Sequence, residues 1–171
     1  MKVTIKELVL FSMFATIIFL GQYFFQFIPN VEVVSLFIII LSLVYERKVL
    51  YSIVLFIMLM GIIYGFGLWI LGYIIIWPLL SLITILLKSY LVGNFSRISL
   101  YSGIFGFLFG LFYAVPYIFI GSFKLAFIYW IKGLPFDLIH MIGNYFIMLF
   151  VGKTLYNVIV KLNYTYFKRS I

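Results

Sequence analysis

Cysteine is absent from all 171 residues, so disulfides, thiolate metal sites and cysteine nucleophiles are excluded together. Charge is almost as scarce, with 9% charged residues, four acids and one histidine. A single histidine rules out a dihistidine zinc site. Neither GxSxG nor HExxH nor GxxxxGK occurs, which removes the serine-hydrolase elbow, the zincin helix and the phosphate-binding loop. The one catalytic arrangement left pairs His140 with Asp137 and a serine from elsewhere, and no motif supports it. The chain is therefore expected not to be an enzyme, and to carry no cofactor and no metal.

Hydrocarbon fills the chain instead: 67% of residues are hydrophobic and 22% aromatic. A soluble domain of this size has too little polar surface to cover so much apolar surface. The reading is a multi-pass integral protein of the cell membrane. The N-terminal apolar run is too long for a signal peptide and has no small-residue cleavage pattern, so it reads as a retained span.

Charged positions act as rulers. The uncharged stretches from Glu7 to Glu32, Lys48 to Lys88 and Arg97 to Lys124 all exceed the ~20 residues of a spanning helix, and the middle one holds two. Turn signals divide the chain into spans at about Ile5 to Ile28, Val33 to Tyr45, Val49 to Ile62, Leu68 to Lys88, Ile98 to Ile120 and Pro135 to Val160. This predicts an all-α bundle of six transmembrane helices forming one domain, residues 1–171.

Lysine and arginine positions orient it. With both termini cytoplasmic, Lys2, Lys6, Arg47, Lys48, Lys88, Arg97, Lys161, Lys168 and Arg169 all fall inside, Lys153 lies in the inner half of the last span, and only Lys124 and Lys132 fall outside. The net charge of +8 is mostly this topology signal. The basic residues are spread over several turns, which gives no reason to expect a nucleic-acid partner.

Within the last span, "GLPFDLIHMIGNYF" (Gly133 to Phe146) sets Asp137, His140 and Asn144 within about 60° of one another around a helix axis. Facing this stripe to lipid would cost several kcal/mol per unsatisfied group, so it must face protein, water or a ligand. Gly133 and Pro135 read as the start of the helix, which puts Asp137 in the first turn, where capping alone could account for it. His140 and Asn144 could equally bridge helices. Three aligned polar groups in so apolar a chain nevertheless suggest function.

A second group gathers at the outer side: Asn30 and Glu32 after the first span, Tyr64, Trp69, Tyr73 and Trp77 around the start of the fourth, and Tyr113, Tyr117, Tyr129 and Trp130 by the last outer loop. Interfacial tyrosine and tryptophan are ordinary in membranes. The run "GIIYGFGLW" (Gly61 to Trp69), however, suits a flexible flap. Ser102, Gly106, Gly110 and Ala114 recur every four residues along the fifth span, a flat ridge for close helix approach whose partner the sequence does not specify. Ser12 and Thr16 form a shorter version on the first.

The segments "ELVLFSMFATIIFLGQ" (Glu7 to Gln22), "IPNVEVVSLFIIILSLVY" (Ile28 to Tyr45), "GIIYGFGLWILGYIIIWPLL" (Gly61 to Leu80) and "GLPFDLIHMIGNYF" together resemble the substrate-binding S component of energy-coupling factor (ECF) transporters, nearly end to end and in order. The resemblance implies a receptor for a vitamin or related micronutrient, with an outward-opening pocket under the loops after the first and third spans. It also implies partners: a transmembrane coupling subunit, contacted at Ser12 and Thr16, and two cytoplasmic ATPases. The small-molecule site would be drawn from Asn30, Glu32, Tyr64, Trp69, Tyr73, Trp77, Tyr117, Asp137, His140 and Asn144, rings for stacking and polar groups for direction. Two carboxylates favour a ligand bearing an amine or protonated heterocycle. The alternative is a non-catalytic membrane scaffold like those of the rod-shaped cell's shape complex, which has no use for a polar lining that descends from outside.

Overall fold

The computed structural model describes residues 3–28 and 31–167, and among them every regular element is helical. Helix α1 (Ile5–Phe25) opens on a capping box: the Thr4 hydroxyl accepts from the Glu7 amide, and Glu7 accepts from the Thr4 amide at 2.9 Å. Glu7 is buried, and its other oxygen takes Lys48 Nζ at 2.6 Å. The cap thus also ties the start of α1 to a distant turn.

Helix α2 (Val34–Tyr45) is buried at every residue but Phe37. A helix apolar on all sides belongs at the centre of a bundle, and α2 is there. It ends in a tight 3-10 turn, Glu46–Val49, whose Glu46 has a φ of 52°. Helix α3 (Leu50–Tyr64) follows. Gly21 of α1 packs on Val33, while Phe11 and Phe14 contact Tyr45, so α2 runs antiparallel to α1. Ser52 donates to the Phe11 carbonyl at 2.9 Å and Tyr64 to Gln26 at 2.8 Å, so α3 runs parallel to α1. The chain therefore reverses at Glu46.

Helix α4 (Trp69–Leu86) returns antiparallel to α3, and the single turn α5 (Lys88–Leu91) leads into α6 (Phe95–Ile120), capped by the Asn94 side chain on the Arg97 amide. Helix α7 (Phe123–Ile147) runs back along α6, passes through a π-turn at Met148–Gly152, and continues as α8 (Lys153–Phe167). Interhelical hydrogen bonds and close packing join the helices. Ser42 to Ser81 at 3.0 Å and Thr84 to Tyr101 at 3.0 Å are such bonds.

Among the described residues, five helical runs are long and apolar enough to cross a membrane: Ile5–Phe25, Val34–Tyr64, Trp69–Leu86, Phe95–Ile120 and Phe123–Phe167. The second joins α2 and α3 through the turn at Glu46, and the last joins α7 and α8. Two expectations need correction. The last long helix begins at Phe123, where Ser122 caps the Leu125 amide, so Pro135 sits in the helix interior and Asp137 is far from any first turn. The glycine-rich flap shrinks to residues 65–68, because Gly61 belongs to α3 and packs against Phe66.

Candidate functional site

The last turn of α1, the connection to α2, and helices α4, α6 and α7 surround a cavity of about 680 Å³. Its longest wall is one face of α7: Tyr129, Lys132, Gly133, Phe136, Asp137 and His140 recur at spacings of three and four. This wall exists because α7 starts at Phe123 rather than at Pro135. Further walls are Tyr73 and Trp77 of α4 and, beside α7, Phe109 and Tyr113 of α6. Gln22, Phe25, Gln26, Ile28, Val31 and Glu32 close the remaining side.

The rings interlock around the space. Tyr73 meets Trp77 edge-on at 5.5 Å, Trp77 lies 5.6 Å from Phe109, and Phe109 meets His140 edge-on at 4.9 Å. The chain thereby presents both ring faces and ring edges, the geometry aromatic ligands favour.

Helix α7 approaches α6 closely because of the small-residue ridge. A methyl group on Gly106 would lie 2.9 Å from the His140 carbonyl oxygen and 3.1 Å from Asn144 Nδ2, and one on Gly110 would collide with the Asp137 carboxylate. The partner of the ridge is thus the polar stripe itself. Gly110 donates its amide to Asp137 Oδ1 at 3.1 Å, while Asp137 Oδ2 is buried without a hydrogen-bond partner among the described residues. The Trp77 Nε1–H, also bordering the cavity, is buried and unpartnered in the same way.

Glu32 joins two parts of the chain. Its Oε2 accepts from the Ser35 amide at 2.8 Å, a carboxylate at the start of α2, and its Oε1 lies 3.3 Å from His140 Nε2. Burial pushes the Glu32 carboxyl up, but His140 and Ser35 outweigh that and hold it below its ordinary value.

Of the residues singled out in the sequence, the cavity brings together Glu32, Tyr73, Trp77, Asp137 and His140. Asn30 lies outside the described residues. Tyr64 bonds to the rim residue Gln26, Trp69 stacks edge-on against Tyr73 at 5.2 Å, and Tyr117 stacks on Tyr129 at 4.5 Å, so these three support lining residues without reaching the cavity. Asn144 is 2% exposed and packs against Gly106 of α6, away from the lining. Ser12 and Thr16 lie on α1, each donating to the carbonyl four residues back at 2.9 and 3.0 Å.

Sequence reasoning passed over Gln22, Gln26, Phe109, Lys132 and Phe136. The two glutamines did carry a signal, since polar side chains four apart share one helix face at the end of an apolar helix. Phe109 and Phe136 carried none, because any apolar helix is full of such residues. Among the described residues, no three His, Asp or Glu side chains gather as a metal site. Compared with protein-family models, curated proteins and solved structures, the chain matches none.

Proposed function

We propose that this protein is a membrane-embedded receptor for a small aromatic micronutrient, the substrate-binding S component of an energy-coupling factor importer. The observation that carries this reading is the cavity of about 680 Å³, with ring-lined walls and the buried groups Glu32, Asp137 and His140. That volume lies within the range of small-molecule sites, and a few placed polar groups among apolar ones is their usual composition. A scaffold has no comparable use for buried charge facing an open space.

The bilayer arrangement follows the same reading. The reversal at Glu46 makes α2 and α3 separate traverses, giving six in all with both termini cytoplasmic. Helices of 12 and 15 residues are about 18 and 22 Å long, so each completes its ~30 Å crossing with flanking residues or local thinning. The cavity then opens outward, on the side of Lys124 and Lys132. Delivery falls to a transmembrane coupling subunit and two cytoplasmic ATPases, with the exposed face of α1 around Ser12 and Thr16 as the seam.

Purification of the chain in detergent, mass spectrometry of the small molecules it releases, and titration of the recovered compound form the test. One compound rebinding at one-to-one stoichiometry is expected. A chain that releases nothing and binds no aromatic micronutrient contradicts the receptor reading.

A further inference from the structure

From the bonding state of each polar group around the cavity we infer that its ligand is a flat aromatic cation, recognised by Asp137. The inference rests on the receptor reading and adds the sign of charge. Both Glu32 oxygens are engaged, one by the Ser35 amide and one by His140. His140 correspondingly turns Nε2 to Glu32. Lys132 is exposed, on a flexible stem that lets its ammonium turn to water.

Asp137 differs from all of these. It is 5% exposed, and one backbone amide holds Oδ1 while Oδ2 has no partner among the described residues. A carboxylate oxygen buried without a donor is costly to maintain, and a ligand N–H that reaches it, above all a charged one, recovers that cost as a short charge-assisted bond. The neighbouring walls suit the same guest. Tyr73, Trp77, Phe109 and Tyr113 offer ring faces, which attract a cation through their quadrupoles and stack on a flat ring. A flat anion would meet the carboxylate and the negative ring faces, with the exposed Lys132 and the neutral Trp77 N–H in its favour.

Two probes of equal ring size separate the possibilities: 4-aminoquinoline, a flat cation near neutral pH, and quinoline-4-carboxylate, a flat anion. Each is titrated calorimetrically into the full chain in lipid nanodiscs, with empty nanodiscs subtracted. Three forms are compared: wild type, Asp137→Asn and Gly133→Trp. The asparagine keeps an oxygen for the Gly110 amide and replaces the free oxygen with a donor. Gly133 lines the cavity and has nothing within 4 Å of where a side chain would begin, so tryptophan there fills the space.

The wild type is expected to favour the cation about tenfold or more, the scale of one charge-assisted hydrogen bond. Asp137→Asn should erase that preference, and Gly133→Trp should abolish binding of both probes. Equal binding of the two probes, preference for the anion, or a preference that survives Asp137→Asn overturns the inference. Provided Gly133→Trp still blocks binding, each of those results leaves the receptor reading standing. Binding that persists unchanged in Gly133→Trp, or saturable binding of neither probe, overturns both. Should Asp137→Asn not fold, the wild-type ratio alone decides the sign of charge.

Discussion

Gly110 donates its backbone amide to Asp137 Oδ1 at 3.1 Å, and the space where a Gly110 side chain would stand is occupied by that same carboxylate. One glycine therefore both permits the approach of α6 and α7 and orients the acid.

Gly110→Ala is expected to push Asp137 aside and cost about 1–3 kcal/mol, the usual penalty of overpacking a close contact. Thermal unfolding in detergent reads the loss, and ligand titration should show weaker binding than the stability change alone implies. A variant with wild-type melting and binding would show that the contact is slack.

Glu32 and His140, 3.3 Å apart, link the connection before α2 to α7. A double-mutant cycle with Glu32→Gln and His140→Ala should give a coupling of about 1–2 kcal/mol, within the range for directly interacting residues. The pH dependence follows from Glu32. Its folded value lies below the ordinary 4.5, so its contribution is complete above that value and disappears as the pH falls through the depressed one. Melting temperature followed from pH 6 downward should therefore drop more steeply in wild type than in Glu32→Gln.

At the other end of the bundle, Lys48→Met removes the ammonium that donates to Oε1 of the buried Glu7 at 2.6 Å. Losing a charge-assisted hydrogen bond at this part-buried pair should cost about 1–3 kcal/mol. Replacing both, as Glu7→Gln with Lys48→Met, should recover much of that loss, which chemical denaturation or thermal scanning of the three forms would show.

Topology is open to a direct test because the chain has no cysteine. With six traverses, Phe66→Cys and Ser122→Cys should react with an impermeant maleimide in intact cells, while Arg47→Cys and Asn94→Cys should react only after permeabilisation. If Val34–Tyr64 crossed as one rod, Phe66 would be protected and the pattern would fail.

The charged turn at Glu46 was legible as a boundary and falls at the end of α2, whereas the Asn94 cap, which starts α6 at Phe95 rather than Ile98, was passed over. The start of α7 was not legible either, because Gly133 and Pro135 are breakers by local propensity. Here they are carried inside a helix that packs along α6. The glycines at positions 61 to 67 were misread for a related reason. Gly61 serves the contact with Phe66, whereas Gly65, at a φ of 82°, makes the turn. The stripe of Asp137, His140 and Asn144 was readable from periodicity, but the depth that separates the first two from Asn144 depends on where the cavity floor lies. The Glu32 to His140 contact spans 108 positions and leaves no trace in local pattern.

The central claim is that the cavity bounded by α4, α6 and α7 holds a small molecule. Native mass spectrometry of the chain released from nanodiscs, comparing wild type with Gly133→Trp, tests it most directly. The account predicts a single small-molecule adduct on wild type, at one per chain, that is missing from Gly133→Trp while the variant's melting temperature stays near that of the ligand-free wild type. No adduct on wild type, or the same adduct on a chain whose cavity is filled, would contradict it.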